Sequence, residues 1–98
     1  LTVDRIECSD AVWLAPDDPG DAATGGLFAQ FRAHGRPLPV ASLVREEPGG
    51  AGGRIVVGLA EGARGVARGQ SLVVYRGDRV LGEGTIDATS RAGAALAS

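Results

Sequence analysis

Lysine and methionine are absent from the 98 residues, cysteine and histidine occur once each, and only four residues are aromatic. Each scarcity closes off some chemistry. A single Cys8 excludes an internal disulfide and a cysteine-built zinc site. A lone His34 excludes most metal constellations, so no metal is expected. The two lie 26 positions apart with no third partner evident, and Cys8 reads as a small, semi-buried apolar residue. No apolar run is long enough to span a bilayer, and no secretory apolar segment stands at the front. Membrane insertion and export are therefore not expected, and a cytoplasmic location is. The absence of Met, at the first position as elsewhere, leads to the expectation that the chain is part of a longer protein.

With no Lys, every fixed side-chain cation is one of ten Arg, set against twelve acids. The net charge of −2 hides an asymmetry. Residues 1–21 carry Asp4, Glu7, Asp10, Asp17, Asp18 and Asp21 against Arg5 alone, and the remainder carries nine Arg against six acids. From Ala22 to Arg45 there is no acid, yet Arg32, Arg36 and Arg45 stand there. A local basic face suits an anionic partner. A solvated surface of mixed sign is the blander reading, and charge alone favours it.

Apolar residues alternate with period two, and helical periodicity is hard to find. The pattern is weak over Thr2–Glu7 and clear over Leu27–Ala33, where Leu27, Ala29, Phe31 and Ala33 face one way. Pro39–Arg45, Arg54–Leu59, Ser71–Tyr75 and Arg79–Ile86 complete the strand candidates. Breakers separate them: the polar loop Ala15–Gly26, a turn at Gly35–Pro37, the Gly-rich Glu46–Gly53, and a tight turn at Arg76-Gly77-Asp78. Six or seven short strands at this spacing predict an all-β barrel or sandwich. Its core is expected to hold Val12, Trp13, Leu27, Phe31, Val40, Leu43, Val44, Ile55, Val57, Leu59, Leu72, Val74, Val80, Leu81 and Ile86. Asp87–Ser98, Ala- and Ser-rich without pattern, is expected to be a disordered tail.

No catalytic set is legible. Glu46-Glu47 sits in a Gly-rich tip that cannot hold the geometry of an acid pair. Gly62–Gly69 (GARGVARG) lacks the Lys-Ser/Thr ending and the helix of a phosphate loop. Arg76-Gly77-Asp78 is explained by a hairpin turn. The row Gln30, Arg32, His34 carries more. Alternate strand residues share a face at about 6.6–6.8 Å spacing, near that of successive nucleic-acid phosphates, and Arg36 extends the row into the turn. Phe28 could stack on a base, though partial burial is the preferred reading. Gln70 serves the turn it sits in or reads a base edge, and the first is favoured.

Gly65–Ile86 (GVARGQSLVVYRGDRVLGEGTI) resembles the end of bacterial tRNA-specific 2-thiouridylases. There a Val-Thr-Pro-Gly-Gln turn opens a strand ending in Phe-Tyr, and a Gly-centred turn leads into Leu-Gly-Gly-Gly. Val66, Gly69 and Gln70 keep the turn, Val74-Tyr75 ends the strand, and Leu81, Gly82 and Gly84 keep the last motif. Ala29–Pro39 (AQFRAHGRPLP) is similar to the family's Arg-Tyr-Arg-Gln segment, with Arg32 retained and Ala33, His34 and Gly35 substituted. Trp13 is similar to an aromatic after the family's first strand. Arg68 stands for the usual Pro, and Glu83 for the middle Gly.

The resemblance implies a barrel similar to domain 2 of elongation factor Tu over residues 1–86, C-terminal in a three-domain enzyme. The parent would use ATP with magnesium in an N-terminal ATP-pyrophosphatase domain to adenylate C2 of the wobble uridine, and a persulfide donor would deliver sulfur. A central domain and this barrel would help hold the tRNA. The phosphate loop and the paired cysteines of that chemistry are absent here, so the barrel is expected to be non-catalytic and to need no cofactor of its own. Its expected RNA contacts are Arg32, His34, Arg36, Arg68 and Gln70. The alternatives are a barrel that packs between domains or against a protein without touching RNA, and the barrel of a translation GTPase. Leu-Gly-x-Gly after a Tyr-ending strand favours the thiouridylase.

Overall fold

The structure, a computed structural model, describes residues 2–22, 25–31, 35–46 and 53–91. Six strands follow in chain order: β1 (Thr2–Trp13), β2 (Leu27–Gln30), β3 (Leu38–Glu46), β4 (Gly53–Arg64), β5 (Ser71–Arg76) and β6 (Arg79–Ser90). They close into a barrel in the order β1-β4-β3-β2-β5-β6, every neighbour antiparallel. Closure leaves no long free edge, which the period-two pattern alone would not guarantee. The expectation of a small all-β barrel is met, with six strands.

The interior is built from Ile6, Cys8, Leu27, Ala29, Ile55, Val57, Leu72, Val74, Leu81 and Ile86, all nearly or wholly withdrawn from water. Each of the larger aliphatic side chains contributes about 1.5–3 kcal/mol of gross burial, opposed by chain entropy. Ile6, Ala15 and Ala63 join the core although no alternation in the sequence marks them, and Cys8, expected to be semi-buried, is wholly buried.

Three expected core residues lie outside: Val12 is 51% exposed, Val44 53% and Val80 39%. The cause is the same in each case. β1 breaks register against both neighbours between Cys8 and Val12, and Asp10 takes a left-handed φ of 51° there. An extra residue flips the alternation. Ile6 and Cys8 face in, and beyond the bulge Trp13, not Val12, packs against the core. A shift between Val40 and Ser42 turns Leu43 inward and Val44 outward. On β6, Val74 pairs with Gly82 but Tyr75 with Val80, which leaves Leu81 as the extra residue, buried, and Val80 outside.

Trp13 and Cys8, both on β1, explain the two glycines of the Leu-Gly-x-Gly strand. A Cβ on Gly82 would stand 2.7 Å from Trp13 Cε3 and 2.9 Å from the Val12 carbonyl oxygen, and one on Gly84 would stand 2.9 Å from Cys8 Cβ. Both glycines are where β1 presses closest. Glu83 between them points to solvent, so a side chain at that position meets no obstacle. Gly20, at φ +72°, closes on the far edge of the same ring, 2.7 Å from Cη2 to a Cβ placed there. The indole N–H donates to the carbonyls of Ala15 (2.8 Å) and Asp18 (3.0 Å).

The tail expectation needs correction at its start. β6 runs on through Ser90, with Ala88 opposite Glu7, Thr89 opposite Ile6 and Ser90 opposite Arg5. Ladder pairing along a strand of twelve residues holds 87–90 in the barrel even though their composition shows no apolar alternation. Residues 92–98 lie outside the described residues.

Candidate nucleic-acid interface

Antiparallel closure gives the barrel two unlike ends. At one lie the connection from β1 to β2 and the Gly77-Asp78 turn, with Asp17, Asp18, Asp21 and Asp78. At the other lie the start of β1, the finish of β6, and the connections from β2 to β3 and from β4 to β5. The β1–β2 connection thus gathers Asp17, Asp18 and Asp21 at one end of the barrel.

The arginines at the acidic end are neutralised. Arg76 donates Nε to Asp18 Oδ2 at 2.7 Å and Nη2 to Oδ1 at 3.2 Å, and also reaches the carbonyls of Asp21 and Gly25. Asp18, 9% exposed, accepts a further bond from Gly20 N at 2.8 Å. Arg79 grips Asp17 with two bonds, 2.6 and 3.1 Å. The guanidinium bonds hold both carboxyls below their ordinary range, Asp18 helped by the Gly20 amide and Asp17 by a backbone bond, and they raise Arg76 and Arg79 in turn. On the barrel wall Arg54 contacts Glu7 closely and lies 3.7 Å from Glu46 and 3.9 Å from Asp87. Arg45 places its guanidinium carbon 4.4 Å from the centroid of Trp13.

Arg5, on β1, lies 3.9 Å from Glu7. Four described arginines remain, all at the opposite end by strand position: Arg36 before β3, Arg64 at the close of β4, Arg68 in the β4–β5 turn and Arg91 after β6. None of them forms an ion pair with a described residue. Asp4 and Glu61 are the acids nearest this end in the strand order. Arg68 is exposed on a turn that is held firmly: Gly69 N donates to Ile86 O at 2.8 Å, Ile86 N to Gln70 O at 2.7 Å, and Ala67 N to Gln70 Oε1 at 2.7 Å. Gln70 therefore closes the turn that presents Arg68. Gln30 ties down the start of the neighbouring connection by donating Nε2 to Gly35 O at 2.6 Å. Arg32 and His34 lie outside the described residues. Arg64 and Arg91 were missed from sequence, where nothing marks them until the strand directions are known.

Among the described residues no cluster of His, Cys, Asp and Glu has the makings of a metal site. Cys8 is fully buried, and desolvation pushes its thiol up to about 11 despite the opposing field of Arg54. No described helix is long and apolar enough to cross a membrane. The outer face of β3, β2, β5 and β6 carries Pro39 opposite Phe28, Phe28 opposite Tyr75 and Tyr75 opposite Val80, with Phe28 at 36% exposure.

Fold and charge together define a small closed β-barrel domain with one cationic mouth. Residues 3–86 match the model of the aminomethyltransferase beta-barrel domain, and the chain belongs to that family. It is 43% identical over 94 residues to the tRNA-specific 2-thiouridylase MnmA of Paenarthrobacter aurescens, covering 90% of this chain and 24% of the relative. The MnmA of Cutibacterium acnes is 43% identical over 93 residues (95% and 23%), and that of Beutenbergia cavernae 43% over 99 (99% and 24%). The chain thus spans about a quarter of the length of these relatives. No solved structure matches it. The resemblance drawn from Gly65–Ile86 is borne out, and membership of this family displaces the translation-GTPase alternative.

Proposed function

We propose that this barrel is the tRNA-facing domain, without catalytic groups of its own, of an enzyme that 2-thiolates the wobble uridine of tRNA. The observation that carries the reading is the cationic mouth. The other described arginines are met by carboxylates or, for Arg45, by an indole ring, whereas Arg36, Arg64, Arg68 and Arg91 at one end form no ion pair with a described residue. The names of the relatives supply the substrate class. In this reading Arg36 and Arg68, joined by Arg32 and His34, contact the tRNA backbone, and Gln70 holds Arg68 in place. The parent would bind ATP with magnesium in an N-terminal ATP-pyrophosphatase domain, take sulfur from a persulfide donor, use a central domain alongside this one, and work in the cytoplasm.

Phosphate contacts by Arg act through charge and counterion release, so they fade with salt. Four contacts give a log–log salt slope of about −3 to −4, and each Arg→Ala change flattens it by about one unit. The experiment is tRNA binding by the intact enzyme across a salt series, with Arg36→Ala and Arg68→Ala beside the parent. Unchanged affinity and slope in both variants would sink the reading. A second reading, a barrel that only packs against neighbouring domains, is favoured by the row of Pro39, Phe28, Tyr75 and Val80 on the outer wall. Both surfaces can be used at once, because the row lies on the wall and the arginines at the mouth.

A further inference from the structure

The ladder between β3 and β4 stops at Val40 opposite Leu59, although both strands run on. Beyond that point β4 stays with β1, pairing Ala63 with Val3 and Arg64 with Thr2. β3 stays with β2, pairing Leu38 with Ala29. The two strands part, and a groove of about 300 Å³ opens between them at the cationic mouth. Phe31, Leu38 and Ala63 form its apolar walls, and Arg36, just before β3, and Arg64, at the close of β4, also line it. Gly35 and Gly62 leave its rim without side chains. Phe31 and Leu38 are partly buried and packed against the core, so the walls are fixed.

We infer that this groove is a single-nucleotide site for unpaired RNA, in which Arg36 and Arg64 hold a phosphodiester and Phe31 offers a wall to the base or ribose. This rests on the tRNA-facing reading and sharpens it by naming Arg64 and Phe31. Three features converge. Two guanidinium groups free of ion pairs with described residues meet an anion from both sides. The volume is at the low end of small-molecule sites, which suits one nucleotide unit and excludes a duplex. An aromatic wall beside a cationic rim is the pairing by which unstacked bases are held in single-stranded RNA.

The test uses the full chain, an unstructured single-stranded RNA of about twelve nucleotides, the equivalent RNA duplex, and inorganic phosphate as a separate probe. Arg64→Gln should flatten the log–log salt slope for the single strand by about 0.7 unit. Phe31→Leu keeps an apolar wall but removes the ring face, and should weaken the single strand about fivefold or more while leaving the slope unchanged. The duplex should respond to neither change by more than about twofold. Thermal melts of both variants confirm that they fold, and Arg64→Lys, which keeps the charge but loses the fork, should restore the slope though not the full affinity. A slope lost in Arg36→Ala and Arg68→Ala but intact in Arg64→Gln would overturn the groove and leave the tRNA-facing reading standing. Insensitivity of all the arginine variants would overturn both. Inorganic phosphate binding as tightly as the single strand, with Phe31→Leu silent, would overturn the nucleotide assignment in favour of a simple anion site.

Discussion

Replacing Gly82 by Ala adds one methyl group at the most crowded point of the barrel. Its Cβ would stand 2.7 Å from Trp13 Cε3, 2.9 Å from the Val12 carbonyl oxygen and 3.2 Å from Trp13 Cζ3. The ring cannot slide away. Its far edge meets Gly20, and its N–H is held by two carbonyls, at 2.8 and 3.0 Å. Overpacking of this kind costs about 1–3 kcal/mol, which for a domain of this size lowers Tm by about 4–24 °C. Thermal unfolding of the full chain, followed by the fluorescence of its single Trp and by circular dichroism, measures it. Repeating the change in a Trp13→Leu background should recover part of the loss. The remainder persists because the Val12 carbonyl is backbone and does not leave with the indole. Glu83→Ala, one residue along and exposed, should move stability by no more than about 0.5 kcal/mol. A Gly82→Ala variant melting within about 2 °C of the parent, or an equal penalty in both backgrounds, would refute the account of Trp13 as the residue that demands this glycine.

Three further outcomes are expected. Cys8, buried and with its thiol pushed up to about 11, is roughly one-thousandth thiolate at about pH 8, so it should resist a thiol reagent in the folded chain and react fully in guanidinium chloride; rapid labelling of the native form would contradict its burial. Asp17 and Asp18 are held below their ordinary 3.8, so the stability they lend is complete above that value and is lost as pH falls through their folded values; Tm should decline in acid, less steeply in Asp18→Asn, and an identical acid profile in the variant would refute the Arg76 clamp. Asp10, at φ 51°, tolerates a left-handed backbone that a β-branched residue does not, so Asp10→Val should lose about 1–2 kcal/mol by denaturant titration, and no loss would mean that the bulge is not needed.

The fold was legible where strands are uninterrupted. Leu27 and Ala29, Ile55 through Leu59, and Leu72 and Val74 alternate in sequence and in space. It was illegible where the ladder slips. Val12, Val44 and Val80 are apolar and β-branched like their buried neighbours, and each lies at or beyond a register shift that turns it outward. Period-two reasoning assumes an unbroken count, and one inserted residue inverts every assignment after it. The signal that could have exposed the first slip is the polar pair Ser9-Asp10 between the inward Ile6 and Cys8 and the inward Trp13. No residue announces the second. Glycine is the better guide on β6: Gly82 and Gly84, two apart in the motif, share a strand face without side chains, and β1 occupies the space.

The candidate site was legible as charge and illegible as place. The acid-free stretch from Ala22 to Arg45 marked Arg32 and Arg36, but Arg45 in that same stretch is spent on the face of Trp13. Arg64 sits between Glu61 and Gly65 and looks unremarkable until β4 is known to finish where β3 begins. Arg54, Arg76 and Arg79 count toward the basic surplus in sequence yet meet carboxylates from elements up to 62 positions away. Long-range pairing removes these charges from the account, and strand direction gathers what is left. A surplus that composition spreads over three quarters of the chain is thereby concentrated at one mouth, where β3 and β4 part and Arg36 and Arg64 line the same groove. An anionic polymer approaching this barrel is repelled by the Asp17–Asp21 end and drawn to the opposite one. The fold thus converts a chain of net negative charge into a barrel with one cationic end.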